Sequence, residues 1–316
     1  MVSSIFENLR WFYATFAFLL GAIFGSFLNV CIYRLPRGMS VVAPRSACPH
    51  CHKLIVWHDN IPILSWLLLR GRCRNCKGPI TPRYAIVEAC IGLLFMFCYL
   101  NFTGYPTVVV RGCFFCFLIV GLIFTDAETF LLPDALTLPG TVAGVALAAI
   151  APLNSYLELT FYHQSVLEGG LYSWRLLSVG DALIGAAFGG GAIWLIGYIY
   201  KKIRHIDGMG FGDVKMMALV GAFLGYEGTL VVLLLGSVAG SGFGLLMVAA
   251  RFRRRLRELR KHGGKRIPRR AWHSAKAALR YQQLPFGVFL GGAALPCLFF
   301  YSRIVDFYLR LAGMGQ

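Results

Sequence analysis

Acidic residues are the scarcest charged class in this 316-residue chain, with 14 Asp and Glu against 31 Lys and Arg. Charged residues make up only 14% of the sequence, whereas soluble domains hold about a quarter. The sequence also lacks solenoid repeats and low-complexity tracts. The low charge argues against a soluble globular domain and favours a polytopic membrane protein.

Apolar residues supply 57% of the chain, and the mean hydropathy is +0.64. A membrane-spanning helix needs about 20 mostly apolar residues. The sixth candidate run is short and its border with the seventh is poorly marked. The predicted fold class is an all-α polytopic membrane protein with about eight transmembrane helices and a cytoplasmic zinc-binding loop domain. The predicted spans are 11–33, 84–102, 107–125, 135–152, 181–200, 214–227, 229–250 and 285–309.

The net charge of +17 follows the predicted topology. Nine Lys and Arg residues fall in 34–83 and thirteen in 251–280, whereas 153–180 holds only Arg175. Basic residues gather on the cytoplasmic side of membrane helices, so we expect the first two segments inside and the third outside. No nucleic-acid partner is needed to explain the charge, and contact with membrane lipid headgroups is a secondary expectation.

These segments predict three units: a first transmembrane helix at 1–33, a cytoplasmic cysteine-rich domain at 34–83, and a membrane domain at 84–316. The membrane domain would carry an outside loop at 153–180 and a basic cytoplasmic insertion at 251–283. We expect the insertion to continue the seventh helix and then form a solvated hairpin near the headgroups. A partner-binding or nucleic-acid role for it is the alternative.

Four of the ten cysteines form a metal-ligand pattern, "CPHC" at 48–51 and "CRNC" at 73–76. Two C-x2-C knuckles supply a tetrahedral thiolate set for zinc, and four thiolates leave no open position, which predicts a structural site. The alternative is that a nearby histidine replaces one cysteine. The predicted ligands are Cys48, Cys51, Cys73 and Cys76, and the six other cysteines are expected to pack inside helices.

Two acids lie at similar predicted depth, Asp126 at the inner end of the third span and Asp213 at the start of the sixth. Two carboxylates that share one water are the working unit of an aspartic protease, in which one holds a proton while the other acts as base. Gly210 and Gly212 would let a substrate strand approach the backbone closely. Asp213 could instead cap a helix, and transporters also carry acids in their spans.

Six segments of the chain form an ordered set of motifs. They are "GSFLNVCIYRLPRGMSVVAPRSACPHC" (25–51), "NIPILSWLLLRGRCRNC" (60–76), "PRYAIVEA" (82–89), "TDAETFLLPDALTLPG" (125–140), "GMGFGDVKMMALVGAFLG" (208–225) and "LPFGVFLGGAA" (284–294). In this order they resemble the bifunctional type IV prepilin peptidases, which are leader peptidases and N-methyltransferases of the Gly-x-Gly-Asp class.

The resemblance implies catalytic aspartates at Asp126 and Asp213 and a zinc-bearing loop with the four cysteines. It implies cleavage of the basic leader of prepilins or type II secretion pseudopilins, then methylation of the new amino terminus with S-adenosylmethionine. It also implies a bacterial inner membrane location with the active site facing the cytoplasm. Lys215 is predicted to contact an acid, the substrate or a headgroup. No S-adenosylmethionine fingerprint is visible, and the oligomeric state, a homodimer included, is left open.

Two rival functions remain at this point. A transporter would use Asp126 and Asp213 as a proton relay and would place its acids nearer the span centres. A non-enzymatic assembly factor would use the zinc loop for docking. A peptidase whose methyltransferase loop is inactive is a third alternative.

Overall fold

The apolar runs of the sequence form helices throughout the part of the chain that the computed structural model describes, which is residues 2–152, 171–205, 210–261 and 285–311. Two isolated antiparallel bridges, Ala47 with Leu54 and Arg72 with Pro79, are the extended pairings found there. The α-helices are α1 (Val2–Arg34), α2 (Leu64–Leu68), α3 (Arg83–Asn101), α4 (Pro106–Thr129), α5 (Asp134–Ala148), α6 (Leu171–Arg204), α7 (Phe211–Lys261) and α8 (Phe286–Leu311).

Five of the described helices, α1, α3, α4, α6 and α7, are long and apolar enough to cross a membrane. Two shorter apolar helices accompany them, Asp134–Ala148 and Phe286–Tyr301. α4 lies at the centre of the bundle, where Phe115, Ile119 and Leu122 are fully buried. The prediction of an all-α membrane protein is confirmed, whereas the count of eight spans stays a prediction.

α7 contains a reversal of chain direction at Gly225, whose φ of 71° and ψ of −175° are not helical. A Cβ placed on Gly189 of α6 would touch both Met217 and Thr229 of α7. Twelve residues along a straight helix span about 18 Å, so these two residues could not both reach one atom without a fold in the helix. α7 is therefore a helical hairpin whose two arms return along α6. The break lies two residues before the end of the predicted sixth span (214–227), close to its predicted border with the seventh (229–250).

Two charged side chains satisfy the backbone groups that this reversal frees. The Arg111 guanidinium donates to the carbonyls of Ala222 and Phe223 at 3.2 and 3.0 Å. The Asp181 carboxylate accepts the Tyr226 amide at 2.9 Å. Helix ends leave such groups without intrahelical partners, and hydrocarbon offers no water to satisfy them. A buried arginine in the middle of the apolar sequence is thereby explained.

Close backbone approach joins the first helix to the third. A Cβ on Gly25 would lie 2.7 Å from the Cα of Glu88, and one on Gly21 would lie 2.7 Å from the Ile91 carbonyl oxygen. Small residues four apart on a membrane helix allow this packing. The contact fixes the entrance and exit of the cysteine-rich segment between α1 and α3.

Two predicted boundaries differ from the structure, and a third agrees with it as far as the structure describes the chain. The predicted outside loop 153–180 is helical from Leu171 onward, since α6 begins ten residues before the span predicted to start at 181, and residues 153–170 lie outside the described part. α5 ends at Ala148, short of the predicted 152. The predicted continuation of the seventh helix into the basic insertion is confirmed as far as Lys261, and the rest of 251–283 lies outside the described residues.

Replacing Gly225 with Ala tests the hairpin. The new Cβ would overlap the Asp181 carboxylate, and φ of 71° is unfavourable for alanine. We expect a loss of about 2 kcal/mol or more of stability, read as a lower apparent Tm in detergent. Gly242→Ala on the second arm is the matched control, because no atom lies within 4 Å of its Cβ position. Equal Tm values for the two variants would contradict the hairpin.

Candidate active site and metal centre

Asp126 occupies the last turn of α4 and is 5% exposed. One of its carboxylate oxygens, Oδ2, accepts the backbone amide of Val288 at 3.0 Å, and the amide of Gly287 also binds the carboxylate. Both amides belong to the first turn of α8, where backbone N–H groups lack intrahelical partners. The positive end of the α8 dipole thus faces the buried acid. Sequence reasoning found Asp126 but missed these two donors.

Asp213 lies in the first turn of α7, next to the two glycines of its motif. Its amide donates to the Gly210 carbonyl at 3.2 Å, and its carboxylate accepts the Gly210 amide. This reciprocal pair resembles a capping box. The local geometry is therefore compatible with the helix-cap alternative. A catalytic role requires a second carboxylate near that of Asp213.

The surroundings bring the two aspartates together. The carboxylates of Asp126 and Asp213 are close enough to repel one another electrostatically. A Cβ on Gly287 would lie 2.9 Å from Asp126 Oδ2 and 3.3 Å from the sulfur of Met216, which is three residues after Asp213. The end of α4 and the starts of α7 and α8 therefore converge on one point. Two carboxylates are thereby placed within electrostatic range of each other.

The predicted substrate-contact residues lie around the same point. A Cβ on Gly212 would approach the Leu132 Cβ to 3.0 Å, so the glycine permits α7 to pack against the segment between α4 and α5. Lys215 donates to Asp134 at 2.6 Å, and its ammonium group lies 5.1 Å from the centre of the Phe211 ring. Lys215 is thus paired with Asp134, and not with Asp126 or Asp213. The sequence analysis assigned no chemical role to Asp134.

The four predicted zinc ligands form one cluster. The sulfurs of Cys48, Cys51, Cys73 and Cys76 all lie within 4.8 Å of one another, and the Cys48 and Cys76 sulfurs are 3.8 Å apart. Zinc bound to thiolates at about 2.3 Å in a tetrahedron requires sulfurs about 3.8 Å apart. The cluster therefore fits a tetrahedral zinc ion.

Each knuckle closes with the same hydrogen bond. The Cys48 amide donates to the Lys53 carbonyl at 3.0 Å, and the Cys73 amide donates to the Gly78 carbonyl at 2.9 Å. The residue after each second cysteine has a positive φ, His52 at 56° and Lys77 at 57°. Two copies of one turn thus present their sulfurs to a common centre.

Backbone amides also prepare the thiol of Cys73. The amides of Cys76 and Asn75 lower the pKa of Cys73 to about 6, whereas the pKa of Cys76, although a backbone amide lowers it, is raised to about 11 by desolvation and the neighbouring cysteine side chains. Cys73 is therefore the one of these two thiols that ionises first and offers a thiolate to a metal. His50 instead makes a hydrogen bond with the Pro79 carbonyl at 3.2 Å. Within the described part of the chain, the side chains close enough together to hold a metal ion are the four cysteines, without a histidine. The alternative of a histidine ligand is therefore not supported.

Buried and half-buried ion contacts tie this zinc module, residues 34–83, to the membrane helices. Arg34 at the end of α1 donates to the carbonyls of Ser40 and Pro44 at 2.9 and 2.7 Å. Glu88 of α3 accepts the Ile63 amide at 2.7 Å. Arg83 at the start of α3 pairs with Glu128 at 2.6 Å. Glu128 lies in the last turn of α4, two residues after Asp126. The module and the aspartates therefore lie at the same end of the bundle.

Comparison with known proteins assigns both parts of the chain. The family model for the Bacterial Peptidase A24 N-terminal domain matches residues 19–102, and the model for the Type IV leader peptidase family matches residues 113–245. A prepilin leader peptidase/N-methyltransferase of Aeromonas hydrophila is 32% identical over 96% of each chain. The chain belongs to the type IV leader peptidase family.

Other members of this leader peptidase family show the same likeness. A prepilin leader peptidase/N-methyltransferase of Myxococcus xanthus is 40% identical over 75% of this chain and 64% of its own length. One of Klebsiella pneumoniae is 36% identical over 72% of this chain and 92% of its own. No solved structure matches the chain. The N-terminal family match contains all four cysteines, and the leader peptidase match contains both aspartates.

Removal of one thiolate tests the metal centre. We expect about one zinc per purified wild-type chain and loss of that zinc in Cys73→Ser, because three thiolates leave the tetrahedral set incomplete. Elemental analysis of the protein in detergent is the measurement. Cys90→Ser, in α3 and away from the cluster, is the matched control and should keep its zinc. A Cys73→Ser protein with full zinc content would show that the cluster is not the site.

Proposed function

We propose that this chain is a membrane aspartic endopeptidase that cleaves the basic leader of prepilins or type II secretion pseudopilins, and then methylates the new amino terminus. Its relatives are named for both activities. The observation that supports the peptidase most directly is the meeting of Asp126 and Asp213 at helix ends. A proton relay through a transporter would call for acids nearer the centres of the spans, and these two acids lie at the ends of α4 and α7.

The proposed chemistry needs one proton shared by the pair. The ionised carboxylate removes a proton from water, and the resulting hydroxide attacks the scissile carbonyl carbon. The protonated carboxyl gives its proton to the carbonyl oxygen as the tetrahedral intermediate forms. Collapse of that intermediate breaks the C–N bond as the proton gained from water passes to the leaving amine. One hydroxyl of the intermediate returns its proton to the second carboxylate as the C=O bond re-forms, which restores the single shared proton. The α8 amides hold Asp126 in place during these transfers.

The substrate follows from the position of the pair. Because both aspartates lie at helix ends, water can reach them without entering the bilayer centre. A substrate whose apolar stem lies beside the helices would present its polar junction there, and its basic leader would stay on the side that carries the basic loops. We therefore propose an inner-membrane enzyme whose active site faces the cytoplasm, with Gly210, Gly212 and Lys215 at the substrate-binding edge.

Zinc fits the four-cysteine cluster, and we propose it as a structural ion that Cys48, Cys51, Cys73 and Cys76 would hold. When bound, it would stiffen the loop by cross-linking its two knuckles. S-adenosylmethionine, proposed as methyl donor, does not fit the cavity beside Cys73. That cofactor carries a sulfonium and a net positive charge, whereas three cationic side chains line the cavity. We assign it no binding residues.

Conversion of either aspartate to asparagine should abolish cleavage. Asp126→Asn and Asp213→Asn keep the shape of the side chain but remove the group that exchanges the proton, so we expect a loss of about a thousandfold or more. The measurement is leader removal from a prepilin in proteoliposomes, followed by mass spectrometry. Asp306→Asn, at an exposed position twenty residues beyond the start of α8, is the control and should cut at a rate close to wild type. Cleavage by both dyad variants at the wild-type rate would refute the peptidase site.

The support of Asp126 by α8 gives a second, independent test. A methyl group at position 287 would press on the Asp126 carboxylate and shift it, and misplacement by about 1 Å can cost about a hundredfold in rate. We expect Gly287→Ala to lower kcat with little change in KM. Gly292→Ala on the same helix is the control, because its Cβ position has no neighbour within 4 Å. Equal kcat values for the two variants would contradict a role for α8 in positioning Asp126.

A further inference from the structure

The short helix α2 leaves its apolar side chains uncovered. Leu64, Leu67 and Leu68 are 49%, 57% and 74% exposed, and Trp57 in the preceding turn is 77% exposed. The turn and the helix form one unit, since the Ser65 hydroxyl donates to the His58 carbonyl at 3.0 Å. A cluster of large apolar side chains on a loop module marks a contact surface.

The depth of α2 is fixed by its link to α3. Ile63, directly before α2, donates its amide to Glu88 at 2.7 Å. Glu88 lies five residues beyond the start of α3 at Arg83, which is about 7.5 Å along the helix axis. α2 therefore begins at the level of the first turns of a membrane-spanning helix. Its exposed leucines are level with an end of α3, and the end of a spanning helix is where headgroups meet the acyl chains.

A basic cavity follows α2 directly. Its volume is about 400 Å³, and it is lined by Leu69, Arg70, Arg72, Cys73 and Lys77. Among the described residues, the ion pairs leave Arg70, Arg72 and Lys77 without a carboxylate partner, whereas Arg74 nearby is engaged by Asp59 at 2.6 Å. Three cations around one concave surface suit an anion, and the neighbouring leucines suit an acyl chain.

We propose that α2 and the basic cavity bind one anionic phospholipid, whose phosphate lies among Arg70, Arg72 and Lys77 while its acyl chains lie along Leu64, Leu67 and Leu68. The site would hold the zinc module against the membrane surface. A pilin is the poorer occupant, because the basic leader expected from the proposed function would be repelled by the three cations. Lipid binding at this site depends only on the helices spanning a membrane, and it does not depend on the peptidase activity.

Native mass spectrometry of the full chain tests the site. The protein is delipidated in detergent and titrated with phosphatidylglycerol or phosphatidylcholine. We expect wild type to retain phosphatidylglycerol roughly twenty-five-fold more tightly than Arg70→Gln/Arg72→Gln, since each of the two cations contributes about a factor of five near an anionic lipid. Arg45→Gln/Lys53→Gln removes the same charge from the same module outside the cavity and should behave as wild type. Equal retention by the two double variants overturns the proposal.

Two further arms separate the other ligands. Inorganic phosphate is added to the wild-type protein, and binding of free phosphate as tight as that of the lipid would overturn the lipid assignment. A photo-crosslinking amino acid at position 68 is then exposed to light in proteoliposomes with and without a prepilin. A lipid adduct in both cases supports the site, and an adduct with the prepilin in place of lipid overturns it. Neither arm depends on cleavage, so a failed lipid site and a failed peptidase can be told apart.

Discussion

The fold depends on how helix ends are satisfied where water is scarce. Every helix leaves backbone amides at its start and carbonyls at its end without partners, and in a bilayer each such group is costly. At one end of this bundle the α8 amides meet the carboxylate of Asp126. At the other end, the Arg111 guanidinium and the Asp181 carboxylate bind the backbone carbonyls and the amide beside the break in α7. Charged side chains are rare in this sequence, and three of them bind the backbone groups at these helix ends.

One consequence is that the candidate active site needs no loop of its own. Asp126 ends α4, Asp213 begins α7, and α8 contributes its first turn, so three rigid helices set the distances. Sites on helices hold their geometry better than sites on loops. The Arg83–Glu128 pair then joins this end of α4 to the zinc module at 2.6 Å. The two aspartates and the four-cysteine module are thus attached to the same helix terminus.

Much of this could be predicted from the sequence, because long apolar runs and C-x2-C pairs are local signals. The cysteine cluster needed only its own spacing, and the starts of α3 and α4 fell within a residue of their predicted positions. The reversal at Gly225 could be predicted only to within a few residues, as the poorly marked border between the sixth span (214–227) and the seventh (229–250), because Glu227 is the only charged residue between 216 and 250. The bond from Val288 to Asp126 joins residues 162 apart in sequence, beyond any local pattern.

The central claim is that Asp126 and Asp213 act together on one water. A cryo-electron microscopy structure of the full chain in a nanodisc, with a prepilin bound to the Asp213→Asn protein, tests it most directly. The account predicts that the scissile carbonyl carbon lies within about 4 Å of a water held between the two side chains. A prepilin junction bound away from both residues, with residue 213 turned only toward the Gly210 amide, would contradict the account and leave that residue a helix cap.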